Sequence, residues 1–240
     1  MTTTNPVTTP LIELVRLHKT YRVGPETVPA LREVSLRIWQ GEFVAITGPS
    51  GSGKSTLLNL LGLLDTPDSG VYQLDGRDVA ALDDNERTLI RKRKLGFIFQ
   101  SSPMLPRLTA GENVALPLLY HGINPREAEA TARDALGRVG LANVADNRPA
   151  QLSGGQLQRV AIARAIVTKP KLILADEPTA SLDEQTAGEI LQLLRDLNRD
   201  TGAAVVMITH ELADAARALR HLVLTNGHLR EARTGTTPPL

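Results

Sequence analysis

Val34, Leu36 and Ile38 alternate with Ser35 and Arg37, the period of a strand buried on one face. Tyr72 and Leu74 alternate in the same way and run into Asp75-Gly76, a tight-turn pair. These pieces predict a small antiparallel sheet near the N-terminus. Three segments read differently. Phe43–Thr47, residues 172–175 and Ala204–Ile208 are short, almost continuous apolar runs, as expected of strands covered on both faces. Helical patterns lie between and after them. Asn124 and Pro125 predict an N-cap and first turn, with Glu127 at capping-box spacing, ahead of Ala132, Leu136 and Val139. Gly140 then offers a C-terminal stop. Ile190, Leu193, Leu194 and Leu197 form a second apolar helix face with Gly202 just beyond it. Strand and helix in alternation predict an α/β core with a parallel sheet. Residues 101–151 carry helical signals without a core strand, which predicts a helical insertion in that core.

Length fits this plan, since 240 residues are roughly 1.6 times an average domain of about 150. A hydrophobic share of 42% with 22% charged residues excludes a disordered chain. Lys and Arg number 27 against 26 Asp and Glu, so the net charge of +1 gives no footprint for bulk nucleic-acid binding. With no cysteine there is no disulfide, thiolate nucleophile or Cys-based metal site. The five histidines lie far apart, which argues against a local metal cluster. The densest apolar stretch, residues 57–64, is broken by Asn59 and too short to span a bilayer. Residues 1–10 are rich in Thr and Pro with no basic residue or apolar core, unlike a signal peptide. The expectation is a chain kept in the cytoplasm, able to sit on a membrane through a partner.

The first chemical motif follows the Phe43–Thr47 strand. Gly48-Pro49-Ser50-Gly51-Ser52-Gly53-Lys54-Ser55 matches G-x-x-x-x-G-K-[ST], and Thr56, Leu57 and Leu58 carry on into a predicted helix reaching Leu64. Glycines let the backbone curl so that N–H groups point at phosphate oxygens, and the helix start adds positive potential. Lys54 is expected to reach the β- and γ-phosphates, and the Ser55 hydroxyl to ligate Mg²⁺. A second apolar strand delivers Asp176 to its end, where it can hold Mg²⁺ through water. Glu177 comes next and can polarise an attacking water. His210 follows another such strand, at the edge where ligands of open α/β sheets gather. A γ-phosphate contact and a simple cap are both open to it. Leu152-Ser153-Gly154-Gly155-Gln156 precedes a helix carrying Val160, Ala163 and Ile166, and its bare start is a second anion-binding position.

With these motifs the chain resembles the ATP-binding subunit of an ABC transporter, from about residue 11 to residue 230. The resemblance implies a P-loop NTPase core with an N-terminal antiparallel subdomain and a helical subdomain at about 101–157. It leaves a disordered segment 1–10 and a flexible tail 231–240. It makes Gly48 to Ser55 the Walker A loop, Leu152 to Gln156 the signature, and Ile173 to Asp176 the Walker B strand. Glu177 corresponds to the catalytic base, Asp183 to the D-loop and His210 to the switch histidine. Gln100, after Phe97-Ile98-Phe99, matches the glutamine that senses Mg²⁺ and the attacking water. Tyr21, placed just before the antiparallel strands, matches the aromatic that stacks on adenine. Phrases such as Leu105-Pro106-Arg107-Leu108-Thr109 are similar to those of lipoprotein-releasing and macrolide-export ATPases. Leu157 and Ser181 depart from the usual Gln and Ala of the family.

The resemblance further implies ATP and Mg²⁺ as cofactors and a second copy of the chain in an ATP-sandwich dimer. It also implies a permease with few membrane helices and a large extracytoplasmic domain, at the cytoplasmic face of the plasma membrane. The apolar residues after Gln100, Met104 and Leu105 among them, are expected to dock that permease. An ATPase signalling to cell-envelope enzymes is the alternative within the class. A small-molecule kinase, a non-catalytic nucleotide scaffold and a nucleic-acid-linked ATPase are the readings from outside it. Arg91-Lys92-Arg93-Lys94 is the sole support for the last, and a solvated helix face accounts for it as well.

Overall fold

A computed structural model describes residues 9–101 and 103–232. In chain order the elements are β1 (Ile12–Val23), β2 (Glu26–Ile38), β3 (Phe43–Thr47), α1 (Lys54–Leu61), β4 (Ser69–Leu74), β5 (Arg77–Asp78) and α2 (Asp84–Lys94). β6 (Leu95–Ile98), α3 (Ala110–Tyr120), α4 (Pro125–Arg138), α5 (Gly154–Ile166), β7 (Leu172–Asp176) and α6 (Glu184–Thr201) follow. The chain continues through β8 (Ala204–Ile208), α7 (Leu212–Ala215), β9 (Arg220–Thr225) and β10 (His228–Glu231). Strand β10 thus takes in Glu231, the first residue of the expected tail, and pairs it with Leu222. The remaining tail beyond Ala232 and residues 1–8 lie outside the described residues.

Two sheets form. The antiparallel one runs β2-β1-β4-β5, and the other runs β10-β9-β3-β8-β7-β6 with only β10 antiparallel. The apolar runs of β3, β7 and β8 are continuous because each strand feeds two cores. Phe43, Ala45, Ile173, Ala175, Val205 and Met207 face the helical core with α3 to α6. Their neighbours Val44, Ile46, Leu172, Leu174, Val206 and Ile208 face α1 and the antiparallel sheet. A strand with apolar neighbours on both faces shows no alternation in its sequence.

The insertion is helical. Small residues on α4, Ala128 and Ala132, are fully buried and let it pack closely on α3 and α5. Asn124 caps α4 by accepting from Arg126 N at 3.0 Å, so the expected capping box with Glu127 does not form. Reciprocal boxes close instead at α2 (Asp83 with Glu86), α3 (Thr109 with Glu112) and α5 (Ser153 with Gln156). α1 stops at Leu61 rather than at Leu64. Leu63 takes φ 55, turning the chain and leaving Leu64 exposed. Tyr21 stands inside β1, paired with Val28, rather than ahead of the sheet. No helix among the described residues is long and apolar enough to cross a membrane.

Candidate functional site

β3 and β8 lie side by side in the sheet, and the chain leaves β3 straight into the phosphate loop. Gly53 caps α1 at φ 103 with no side-chain hydrogen bond, so the first-turn N–H groups remain for a ligand. A Cβ at Gly53 would stand 2.3 Å from the Ala30 carbonyl oxygen, which ties this position to glycine twice over. Pro49, Ser50, Gly51 and Ser55 are exposed, whereas Ser52 is buried and its carbonyl accepts from Gly227 N at 3.1 Å. Lys54 is buried as well. Its ammonium donates to the loop's own carbonyls, Gly48 O at 2.8 Å and Pro49 O at 3.0 Å.

Parallel register brings the second set of groups to the same edge. Asp176 pairs with Ile208, so Glu177 and His210 emerge from the ends of neighbouring strands. His210 Nε2 lies 2.6 Å from Glu177 Oε1. Burial pushes the Lys54 ammonium below its ordinary value, against the pull of the Glu177 and Asp176 carboxylates. Burial, then the charge of Glu177, pushes the Asp176 carboxyl up, with Lys54 and His210 opposing. Lys54, Asp176, Glu177 and His210 therefore share one electrostatic field. Ile98 pairs with Ala175, so Gln100 runs out beside that edge and is exposed there.

The Ser153 helix start stands elsewhere. Ser153 Oγ accepts from Gln156 N at 3.3 Å, while the Gln156 side chain accepts from Ser153 N at 2.9 Å. A Cβ on Gly155 would meet Thr186 Cγ2 at 2.6 Å, so glycine lets α5 close on the start of α6. Asp183 caps that start, accepting from Thr186 N at 3.0 Å and Thr186 Oγ1 at 2.6 Å. These bonds hold the Asp183 carboxyl below its ordinary value. The starts of α5 and α6 are thus neighbours, at an exposed surface with Ser153 and Gly154 open to solvent.

Tyr21 is 38% exposed, and its hydroxyl donates to Asp65 Oδ2 at 2.7 Å. Of the residues expected to dock a partner, Leu105 is 50% exposed but Met104 packs on the helical core. The difference lies in Asn113, which the sequence reading passed over. It is fully buried, donates to the carbonyls of Leu105, Leu108 and Thr109, and accepts from Leu105 N. That clamp folds the loop back on α3 and turns Met104 inward.

A phosphate loop facing two carboxylates and a histidine across adjacent parallel strands defines a P-loop nucleotide hydrolase. A family profile described as ABC transporter matches residues 31–180. LolD, a lipoprotein-releasing system ATP-binding protein of Bordetella pertussis, is 48% identical over 93% of this chain and 96% of its own. MacB, a macrolide export ATP-binding/permease protein of Marinobacter nauticus, is 48% identical over 96% of this chain, which spans 35% of MacB. The cassette MJ0796, a dimer in a post-hydrolysis state bound to ADP and Pi, superposes with a TM-score of 0.85. It is 44% identical, over 94% of this chain and all of its own. The chain belongs to the ABC transporter family, as an ATPase subunit of the type that LolD and MacB represent.

Proposed function

We propose that this chain binds ATP with Mg²⁺, hydrolyses it, and uses the cycle to drive a membrane permease at the cytoplasmic face of the plasma membrane. One observation carries the reading: Lys54, Asp176, Glu177 and His210 converge on a single sheet edge beside an open helix start. Residues 48–56 cradle the phosphates, and Tyr21 stacks on the adenine. Among the described residues no group of three or more acidic or histidine side chains gathers to hold a metal. A cation must then take most of its ligands from phosphate and water, with Ser55 and Asp176 as the protein's share and Gln100 nearby. The raised pKa of Asp176 fits a neighbour of positive charge. Ser55 and Asp176 would hold Mg²⁺ there, and the ion would supply positive charge against the phosphates. Glu177 orients and deprotonates the water, and His210 holds the Glu177 carboxylate in place.

Two chains sandwich two nucleotides. Ser153 and Gly154 at the start of α5 are exposed, which leaves that start open to the γ-phosphate on a second copy. The dimer of MJ0796 supports that arrangement. The permease docks in the groove between β6 and α3, where Phe97, Phe99 and Tyr120 line an apolar floor flanked by Arg91 and Arg164. Tyr120 is 71% exposed. Phosphate release from ATP without any acceptor, lost in Lys54→Ala together with nucleotide binding, tests the hydrolase reading. Tyr120→Glu and Leu105→Glu are expected to abolish co-purification with a co-expressed permease while leaving basal hydrolysis intact. Undiminished co-purification of both variants would rule out this surface.

A further inference from the structure

Behind Tyr21, the residue read above as the adenine-stacking aromatic, stands a polar cluster with Lys19 and Asp65, two residues that no motif assigns. Lys19 is buried, and its ammonium donates to Asp65 Oδ1 and to Thr66 O, both at 2.7 Å. Thr66 N also donates to Asp65 Oδ1 at 2.7 Å. The second carboxylate oxygen of Asp65 accepts from the Tyr21 hydroxyl at 2.7 Å. Asp68 stands 3.9 Å from Lys19 Nζ, but its other oxygen is taken by Thr20 N and Thr20 Oγ1. Burial alone would push the Asp65 carboxyl up; hydrogen bonds from Lys19, Tyr21 and Thr66 outweigh it and hold the group below its ordinary value. Asp65 is therefore ionised and fixed at neutral pH.

The fixed carboxylate determines where the Tyr21 ring lies. Lys19 Nζ sits over that ring, 5.2 Å from its centroid, so a cation takes one face and leaves the opposite one for a planar ligand. The hydroxyl is tied to Asp65, just past the end of α1. The helix whose start offers N–H groups to phosphate thus leads directly to the carboxylate that places the ring. A half-exposed aromatic side chain held this way loses little freedom when a base stacks on it.

We propose that Asp65, locked by Lys19, is a positioning residue that holds the Tyr21 ring at a fixed distance from the phosphate loop for stacking on the nucleobase. The proposal rests on the nucleotide reading above. Asp65 touches no ligand and acts only through the Tyr21 hydroxyl.

Binding of ADP and of inorganic pyrophosphate, measured in parallel with Mg²⁺ on the full chain, tests it. Pyrophosphate shares the phosphates but has no base. Asp65→Ala and Tyr21→Phe should each weaken ADP about three- to tenfold and leave pyrophosphate unchanged. Asp65→Asn keeps an acceptor for the hydroxyl and should recover most of the loss. The Asp65→Ala/Tyr21→Phe double variant should bind ADP no worse than either single one, since both remove the same bond. Tyr21→Phe leaves the Lys19–Asp65 pair intact, so it carries the test even if Asp65→Ala fails to fold. Equal weakening of both ligands, or unchanged ADP affinity in Tyr21→Phe, overturns the proposal. Tyr21→Ala separates the two levels. If it weakens ADP more than tenfold while Tyr21→Phe does not, base stacking stands and positioning through Asp65 fails. If Tyr21→Ala changes nothing, stacking itself is wrong. A wild-type chain that binds no ADP would sink the nucleotide reading.

Discussion

Glu177 Oε1 and His210 Nε2 stand 2.6 Å apart at the ends of two neighbouring parallel strands. Glu177 reaches that position at φ 45, a conformation costing a side-chain-bearing residue about 1 kcal/mol or more, and its N–H donates to Ile208 O at 2.9 Å. Backbone pairing and the histidine together fix the carboxylate at the sheet edge to which the phosphate loop also belongs.

Glu177→Gln keeps the shape but loses the base. Steady-state turnover should fall by about 10²–10⁴ while ATP binding survives. Near-normal turnover in that variant would discard Glu177 as the base.

Asp176 is expected to cost stability when no cation is near it. Its folded pKa is raised, so as pH climbs past the ordinary carboxylate value the unfolded chain ionises first, and the penalty is complete above the folded pKa. Asp176→Asn should therefore raise the Tm of the nucleotide-free protein at neutral pH. The gain should shrink toward pH 4, and Mg²⁺-dependent hydrolysis should be lost. Calorimetry showing an unchanged or lower Tm at neutral pH would contradict this account.

Asn113→Ala should destabilise the protein by about 1–3 kcal/mol in denaturant titration, because it takes the side-chain partner from Leu108 O and Leu105 N, while Leu105 O and Thr109 O keep the backbone donors Leu108 N and Asn113 N. Asn113→Asp should be at least as damaging. It keeps the acceptor for Leu105 N but turns a negative oxygen toward those carbonyls. A mild effect from both changes would show that the loop holds its shape without the clamp.

In the Glu177→Gln background, ATP should double the mass seen by light scattering from the 25.9 kDa of one chain. Adding Ser153→Arg should block the shift by placing bulk and charge at the exposed start of α5. A trapped variant with bound nucleotide that stays monomeric at high concentration would refute the sandwich for the isolated subunit.

The phosphate loop, the three apolar strands and the helix ends at Gly140 and Gly202 were legible because local chemistry alone decides them. Other features depended on partners distant in sequence. β1 carries Arg16 at φ 45 and shifts register around Leu17 and Lys19, which breaks the alternation that would have placed Tyr21 inside a strand. β6 has four residues, one of them glycine, and its apolar character comes from α5 and β7 on either side. Glu127 had the right spacing for a capping box, but Asn124 bonds the nearer N–H of Arg126 instead. Asp183 reads through its motif as part of the D-loop; that both its oxygens also serve the cap of α6 depends on the folded chain. Spacing in sequence specifies which groups can meet; competition among neighbours specifies which do.

Lys54 commits two of its three ammonium protons to Gly48 O and Pro49 O, so the loop's own backbone sets the aim of its cation. The third proton and the helix start are what remain to be offered to an anion. The charge is therefore in place before any guest arrives, and little of the binding free energy has to be spent on ordering a long flexible side chain.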